Sequence, residues 1–285
     1  MDPARQHIID RLEQSIGLNI ETVSSSTFER AIRHRMEALG VDDMSGYARL
    51  LAASGPELDR LIEEVVIPET WFFRHQEPFD ILVDQVRTAK AQARPLPFRI
   101  LSLPCSTGEE PYSAVMALLL AGIPPVHFEV TGVDISKRAL EIADRGIYGD
   151  NSFRSRDLTF RDVFFRRTDN GYLLEEQVRS LVRFCRGNIV DTTFTASLGV
   201  FNVIFCRNIL IYLSRDAQEK VLANLFHLLV PGGTLFTGHA EANLFLNTPF
   251  TRSPDTGSFA FLRPASEKPS LVGFPGQQDD DRTPA

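Results

Sequence analysis

The sequence predicts an α/β protein: a parallel sheet covered by helices, preceded by an all-helical unit and interrupted by a small antiparallel insert. Three observations predict it. Residues 1–87 carry helix signals and no strand signal. From residue 98 short apolar runs alternate with amphipathic stretches. Between 151 and 187 that alternation breaks.

The helical unit reads in order. "ARQHIIDRLEQSIGL" repeats apolar residues at helical spacing and reaches its stop at Gly17. "SSTFERAIRHRMEALG" opens on a serine/threonine cap and stops at Gly40. "DMSGYARLLAAS" and "PELDRLIEEVVI" follow, each with a cap, and "PETWFFRHQEPFDILVDQVRTAK" reads as a longer closing helix. A linker over 88–97 is clearest in "AQARPLP".

Beyond it, "FRILSL" is a short buried strand and "EEPYSAVMALLLA" a helix. "FEVTGVDI" and "SKRALEIADRGIY" repeat the pair, which argues for a parallel sheet over 98–264. Residues 151–187 read as two or three short antiparallel strands with a turn at Asp169-Asn170-Gly171, an inserted β-subdomain. The main pattern then resumes: "FNVIFCRN" is a buried strand, "DAQEKVLANLFHLLV" an amphipathic helix, and "PGGTLFTGH" a turn into another strand. "FTRSPDTGSFAFLRP" reads as a terminal hairpin. Residues 265–285, rich in Pro, Gly and charge, are expected to be a disordered tail or linker.

Composition limits the function. The 285 residues are 43% hydrophobic and 24% charged, ordinary values for a globular chain. The net charge of −7 argues against wholesale nucleic-acid binding. Three cysteines with no C-x-x-C pair argue against a disulfide framework or a zinc site and fit a reducing cytosol. There is no signal-peptide pattern and no run long enough to span a membrane, so a soluble cytoplasmic protein is expected.

The strand-to-helix turn "LSLPCSTGEEPYS" (101–113) occupies the place of a nucleotide-binding loop, yet it has one glycine and two carboxylates. Dinucleotide sites need G-x-G-x-x-G and a positive helix N-terminus for the pyrophosphate. Glu109 and Glu110 repel phosphate, which disfavours NAD, FAD and ATP. A cationic, phosphate-free nucleoside such as S-adenosylmethionine fits. The same residues also spell capping boxes, Ser106-x-x-Glu109 and Thr107-x-x-Glu110. Taken alone, the loop leaves both readings open. Asp134, ending the second strand, stands where an acid can accept both ribose hydroxyls, though a strand-end Asp also serves as a helix cap.

Five stretches, "ETWFFR" (69–74), "CSTGEEPYS" (105–113), "GVDIS" (132–136), "FCRNILIYL" (205–213) and "LLVPGGTLFTGHAE" (228–241), together resemble the chemotaxis receptor methyltransferases (CheR) in order and spacing. The resemblance covers roughly residues 10 to 264 and looks closest to the branch serving surface-sensing (Wsp-type) receptor arrays. It implies a seven-stranded Rossmann-like class I methyltransferase domain, an N-terminal helical domain and an inserted β-subdomain. The implied cofactor is S-adenosylmethionine, with S-adenosylhomocysteine as product. The implied partner is the cytoplasmic domain of a chemoreceptor, whose glutamates become methyl esters, and the enzyme is implied to be a monomer. In some members the β-subdomain docks a peptide at the receptor C-terminus.

The resemblance also implies site residues. Thr70 and Arg74 match the T-x-F-F-R motif that reaches the cofactor. Glu110 matches the second glutamate of "GEEPYS", leaving Glu109 as a cap. Asp134 is the ribose acid, and Asn188 and Ile189 match a pair beside the adenine. Cys206 and Arg207 match the strand-end pair below the methionine portion, and Tyr212 a tyrosine near the transferring methyl. Pro68 departs from the asparagine of some members, which removes a side-chain contact.

Methyl transfer to a carboxylate needs positioning and exclusion of water rather than a triad or a metal, and neither is expected. Arg74 can hold a carboxylate as a bidentate pair, and Trp71-Phe72-Phe73 before it read as core. Arg30, Arg33 and His34 share a helix face, with Arg35 displaced from it. A solvated face explains them unaided; the resemblance makes this the receptor-facing helix, where basic charge steers association with glutamate-rich helices.

Overall fold

The computed structural model describes residues 2–66, 68–254 and 259–265. The helical domain contains α1 (Pro3–Ile16), α2 (Ser25–Leu39), α3 (Met44–Ala53) and α4 (Gly55–Val65). Each start is fixed by a side-chain cap: Asp2, Ser24, Asp43 and Ser54 accept from backbone N–H groups of the first turn. Gly17 and Gly40 end α1 and α2 in the left-handed region. Ile8, Leu12, Phe28, Ile32, Tyr47, Leu51, Leu61 and Val65 form one apolar core.

The next helix, α5 (Glu77–Ala91), corrects the expected boundary at residue 87. Phe79, Leu82, Val86 and Ala89 bury against the sheet domain and share its core, so the helical core closes at Val65. Amphipathic spacing shows that a face is buried, but not against which domain. Residues 68–76, expected to open this helix, form an irregular loop.

The sheet domain continues with β1 (Phe98–Ser102), α6 (Glu109–Leu120), β2 (Phe128–Asp134), α7 (Lys137–Arg145), β3 (Ile147–Tyr148), α8 (Thr159–Phe164), β4 (Phe165–Thr168), β5 (Gly171–Leu174), α9 (Glu176–Arg179), β6 (Val182–Arg186), α10 (Thr192–Ser197), β7 (Phe201–Cys206), α11 (Arg215–Leu228), β8 (Leu229–Thr237), β9 (Thr251–Arg252) and β10 (Ala260–Leu262). Among the described residues these build a seven-stranded sheet, ordered β6-β2-β1-β7-β8-β10-β9. β6, β2, β1, β7 and β8 run parallel; β10 pairs antiparallel with β8, and β9 antiparallel with β10. The turn of that last hairpin, and all of the expected tail but Ala265, lie outside the described residues.

Period-two alternation divides the two cores. In β7, Val203 and Phe205 join α5 and α6 on one face, while Ile204 and Cys206 join α11 on the other. The small sheet, ordered β3-β5-β4, packs its aromatics onto the first face. Its limits differ from the expected 151–187. It begins with β3, before residue 151, and β6 pairs parallel with β2 as an edge of the main sheet. As a half-exposed edge strand, "VRFCR" shows a mixed pattern that the sequence reading assigned to the insert.

The sheet order reverses between β1 and β7. In an open α/β sheet the crevice beyond the carboxyl ends of the strands at such a point is where ligands bind.

Candidate functional site

The loop after β1 is pinned to both neighbouring strands. Leu103 N donates to Phe205 O at 2.9 Å and Cys105 N to Val133 O at 2.8 Å. Ser106, at φ 49°, donates its N–H to Asp134 Oδ2 at 2.7 Å. The loop's glycine, Gly108, sits at φ 92°, and a Cβ there would lie 2.8 Å from Ala143 Cβ. One glycine suffices because only this position has both constraints.

Asp134 ends β2, as expected. Its Oδ1 accepts from Ser136 N at 2.9 Å. Burial pushes its pKa up, and the N–H groups of Ser136 and Ser106 pull it back. Each carboxylate oxygen keeps a second lone pair for a ligand hydroxyl.

The two glutamates have separate environments. Glu110 lines the pocket, where Oε1 accepts from Ser102 Oγ at 2.8 Å and Oε2 from Arg207 Nη1 at 3.2 Å. Glu109 is 2% exposed and makes no capping bond, contrary to expectation. Its side chain accepts from Thr107 Oγ at 2.6 Å and Ser152 Oγ at 2.8 Å, tying the loop to the segment after β3. Burial raises its pKa against those two bonds.

From the loop before α5, Phe72 and Phe73 enter the core. Trp71 remains partly exposed, with the guanidinium carbons of Arg74 and Arg154 at 4.3 and 5.3 Å from its ring centroid. Phe73 N donates to Ser113 Oγ at 2.9 Å, fastening this loop to α6. Arg74 is therefore no surface charge: burial and the neighbouring Arg207 lower its pKa. Arg207 Nη1 donates to Arg74 O at 2.8 Å.

These groups meet in one pocket. Thr70, Arg74, Ser106, Glu110, Asp134, Arg207 and Tyr212 line it, with Asn208 and Ile209 beside them. Leu18, Val23, Val65 and Val66 of the helical domain supply an apolar wall that the sequence reading missed; nothing distinguishes them from other core positions. Backbone contacts hold this wall in place: Asn19 N donates to Tyr212 O and Ser214 N to Gly17 O, both at 2.8 Å. Asn188 and Ile189 line a smaller apolar annex, joined to the pocket through Leu18, Val66, Pro104, Asp134, Ile135 and Ile209. Asn188 is itself bonded to Ser15 O at 2.7 Å. Cys206 is not on the lining: its side chain is buried in the α11-side core, which pushes its thiol pKa well up.

The basic face of α2 lies outside this pocket. Arg30 and Arg33 are exposed and make no ion pair among the described residues. His34 Nδ1 lies 3.1 Å from Glu64 Oε1. Arg35 turns inward and forms a two-point pair with buried Glu57.

The lining fits S-adenosylmethionine. Arg74 Nε, Arg207 Nε and Ser106 Oγ are buried and lack a hydrogen-bond partner among the described residues. Two guanidinium donors suit carboxylates, while Asp134 and Glu110 suit hydroxyls and an ammonium group.

Comparison with known proteins agrees. The family model described as CheR methyltransferase, SAM binding domain, matches residues 68–257, and that for the CheR methyltransferase all-alpha domain matches 4–66. The chain is 47% identical over 240 residues to the probable biofilm formation methyltransferase WspC of Pseudomonas aeruginosa, covering 82% of this chain and 56% of that one. It is 42% identical to the Pseudomonas putida protein of the same name, covering 93% and 63%. Chemotaxis protein methyltransferase 2 of Vibrio cholerae is 33% identical, covering 82% and 83%. The chain thus spans under two thirds of the length of the two Pseudomonas relatives. On this evidence the chain belongs to the CheR methyltransferase family, whose cofactor is S-adenosylmethionine.

Proposed function

We propose that the chain is a cytoplasmic protein-glutamate O-methyltransferase, esterifying glutamate side chains on the cytoplasmic helices of a chemoreceptor. The observation that best supports this reading is the pair of buried, unpartnered Nε donors on Arg74 and Arg207 within one pocket lining. The reaction brings two carboxylates together, that of the cofactor's methionine portion and that of the acceptor. Two fixed guanidiniums match that demand.

Bound S-adenosylmethionine supplies an electrophilic methyl group on a sulfonium. An acceptor glutamate, with an ordinary pKa of about 4.3, is already ionised at pH 7, so methyl transfer to its oxygen, with S-adenosylhomocysteine as the leaving group, would need no general base. The chain's own residues therefore bind, orient and exclude water. Asp134 would hold the ribose hydroxyls and Glu110 the ammonium end. Thr70 and Arg74 approach from the loop before α5. Asn188 and Ile189 would border the adenine through the annex, whereas Cys206, buried off the lining, takes no contact role. Arg207 would lie beside the methionine portion and Tyr212 near the transferring methyl. Arg74 orients rather than activates, because pairing a carboxylate with Arg lowers its nucleophilicity. The exposed Arg30 and Arg33 steer the receptor helix, with His34 at their edge.

The experiment is transfer of a radiolabelled methyl group to a receptor cytoplasmic fragment, run beside small carboxylic acids. Label on the fragment that alkali releases as volatile methanol identifies an ester. Label that survives alkali, or that goes only to the small acids, overturns the assignment.

A further inference from the structure

Glu241 sits just beyond β8, outside the pocket, and is 0% exposed. A carboxylate so placed needs compensation, and five donors supply it. Oε1 accepts from Ile209 N at 2.7 Å and Leu210 N at 2.8 Å. Oε2 accepts from Asn208 N at 2.9 Å, Gly238 N at 2.8 Å and Thr237 Oγ at 3.2 Å. Three of these donors are consecutive backbone N–H groups in the segment that runs from Arg207 to Tyr212. That segment lines the pocket through Arg207, Asn208, Ile209 and Tyr212.

Asn208 sits at φ 61°, in the left-handed region that Asn takes more readily than other L-residues but glycine takes freely, and its N–H belongs to the nest that Glu241 fills. Gly238 makes the approach possible: a Cβ there would lie 2.5 Å from Glu241 Oε2. We infer that Glu241 is a positioning residue: its carboxylate, by filling the nest of residues 208–210, holds Arg207 and Tyr212 in their working places.

This inference rests on the cofactor reading of the pocket, so its test has a readout independent of activity. Amide exchange at residues 208–210 and S-adenosylhomocysteine affinity by calorimetry are measured on the full chain, for the wild type, Glu241→Gln, Gly238→Ala and Glu241→Gln/Asn208→Gly. In Glu241→Gln the amide NH2 faces donors, so the expectation is at least 100-fold faster exchange and at least tenfold weaker binding. Asn208→Gly in that background should recover affinity at least threefold, because glycine takes φ near 60° without help. Wild-type protection or affinity in a folded Glu241→Gln protein overturns the inference, as does absence of recovery in the double variant. If Glu241→Gln does not fold, Gly238→Ala displaces the carboxylate while keeping its charge; losses of the same order are expected, and wild-type values overturn the idea. If the wild type binds no S-adenosylhomocysteine, the cofactor reading fails, and amide exchange alone still judges the nest.

Discussion

Glu63, on α4 of the helical domain, caps a helix of the other domain: its Oε1 accepts from Lys137 N at 2.6 Å and its Oε2 from Ser136 Oγ at 2.5 Å. Ser136 is itself the N-cap of α7, accepting from Ala139 N at 2.9 Å, and its own N–H goes to Asp134. One turn earlier on α4, Asp59 pairs with Arg186 of β6 at 2.9 Å. The helical domain is thereby fastened to the loop that carries the proposed ribose acid. Loss of a helix-capping carboxylate costs about 0.5–2 kcal/mol, and an exposed ion pair less than about 1 kcal/mol.

Glu63→Ala is therefore expected to lower the melting temperature by a few degrees and to weaken S-adenosylhomocysteine binding several-fold, mainly through faster dissociation. Stopped-flow release of the product checks this. An unchanged dissociation rate would show that the latch does not communicate with the pocket.

Arg74→Ala should reduce receptor methylation by at least about 100-fold, the order expected from loss of a positioned group in a site of this kind, with an unaltered circular dichroism spectrum. Arg74→Lys should not restore it. An ammonium lacks both the planar fork for a carboxylate and the stack on Trp71, 4.3 Å away. Full activity of either variant in the radiolabel assay would remove Arg74 from the site.

Much of this site could be read from the chain because its residues sit in short local motifs. Asp134 at the end of β2, and Glu110 at the start of α6, are placed by the βα unit itself. Glu63 and Glu241 could not be read in this way. Each resembles any other glutamate in sequence, and each reaches a segment at least 31 residues away, Glu63 at Ser136 and Lys137 and Glu241 at residues 208–210. The assignment of β6 to the insert failed because an edge strand loses the continuous apolar run of a central one. The helices α8 and α9 are six and four residues long, too short for a helical period to register.

Glu109 gives a pH prediction with a definite sign. Burial raises its folded pKa above the ordinary carboxylate value. Between the two values the folded state binds more protons than the unfolded state, so its contribution to stability falls as pH rises through that window. Glu109→Gln removes the titration and keeps two bonds, since the hydroxyls of Thr107 and Ser152 can donate or accept. Urea unfolding of both proteins at pH 4 and pH 7.5 should show the variant gaining on the wild type at the higher pH. A pH-independent difference would mean that the Glu109 pKa is not raised.

The four basic residues of α2 should separate by environment despite their proximity in sequence. Arg35 donates through Nε and Nη2 to Glu57, each at 2.9 Å, and Glu57 also accepts from Tyr47 OH at 3.1 Å. Arg35→Ala leaves that buried carboxylate with only the exposed Arg60, 3.7 Å away, as a cation, a loss of about 3 kcal/mol, the low end for a broken buried pair and still a large part of the stability of a domain this size. Arg30→Ala and Arg33→Ala remove solvated charges and should change unfolding free energy by less than about 0.5 kcal/mol. Their effect should appear instead as slower methylation of a glutamate-rich receptor fragment at low salt, converging on the wild-type rate as salt screens the attraction. His34, facing Glu64 at 3.1 Å, should contribute less than either arginine. Equal rates for Arg30→Ala, Arg33→Ala and wild type at low ionic strength would place the receptor on another face.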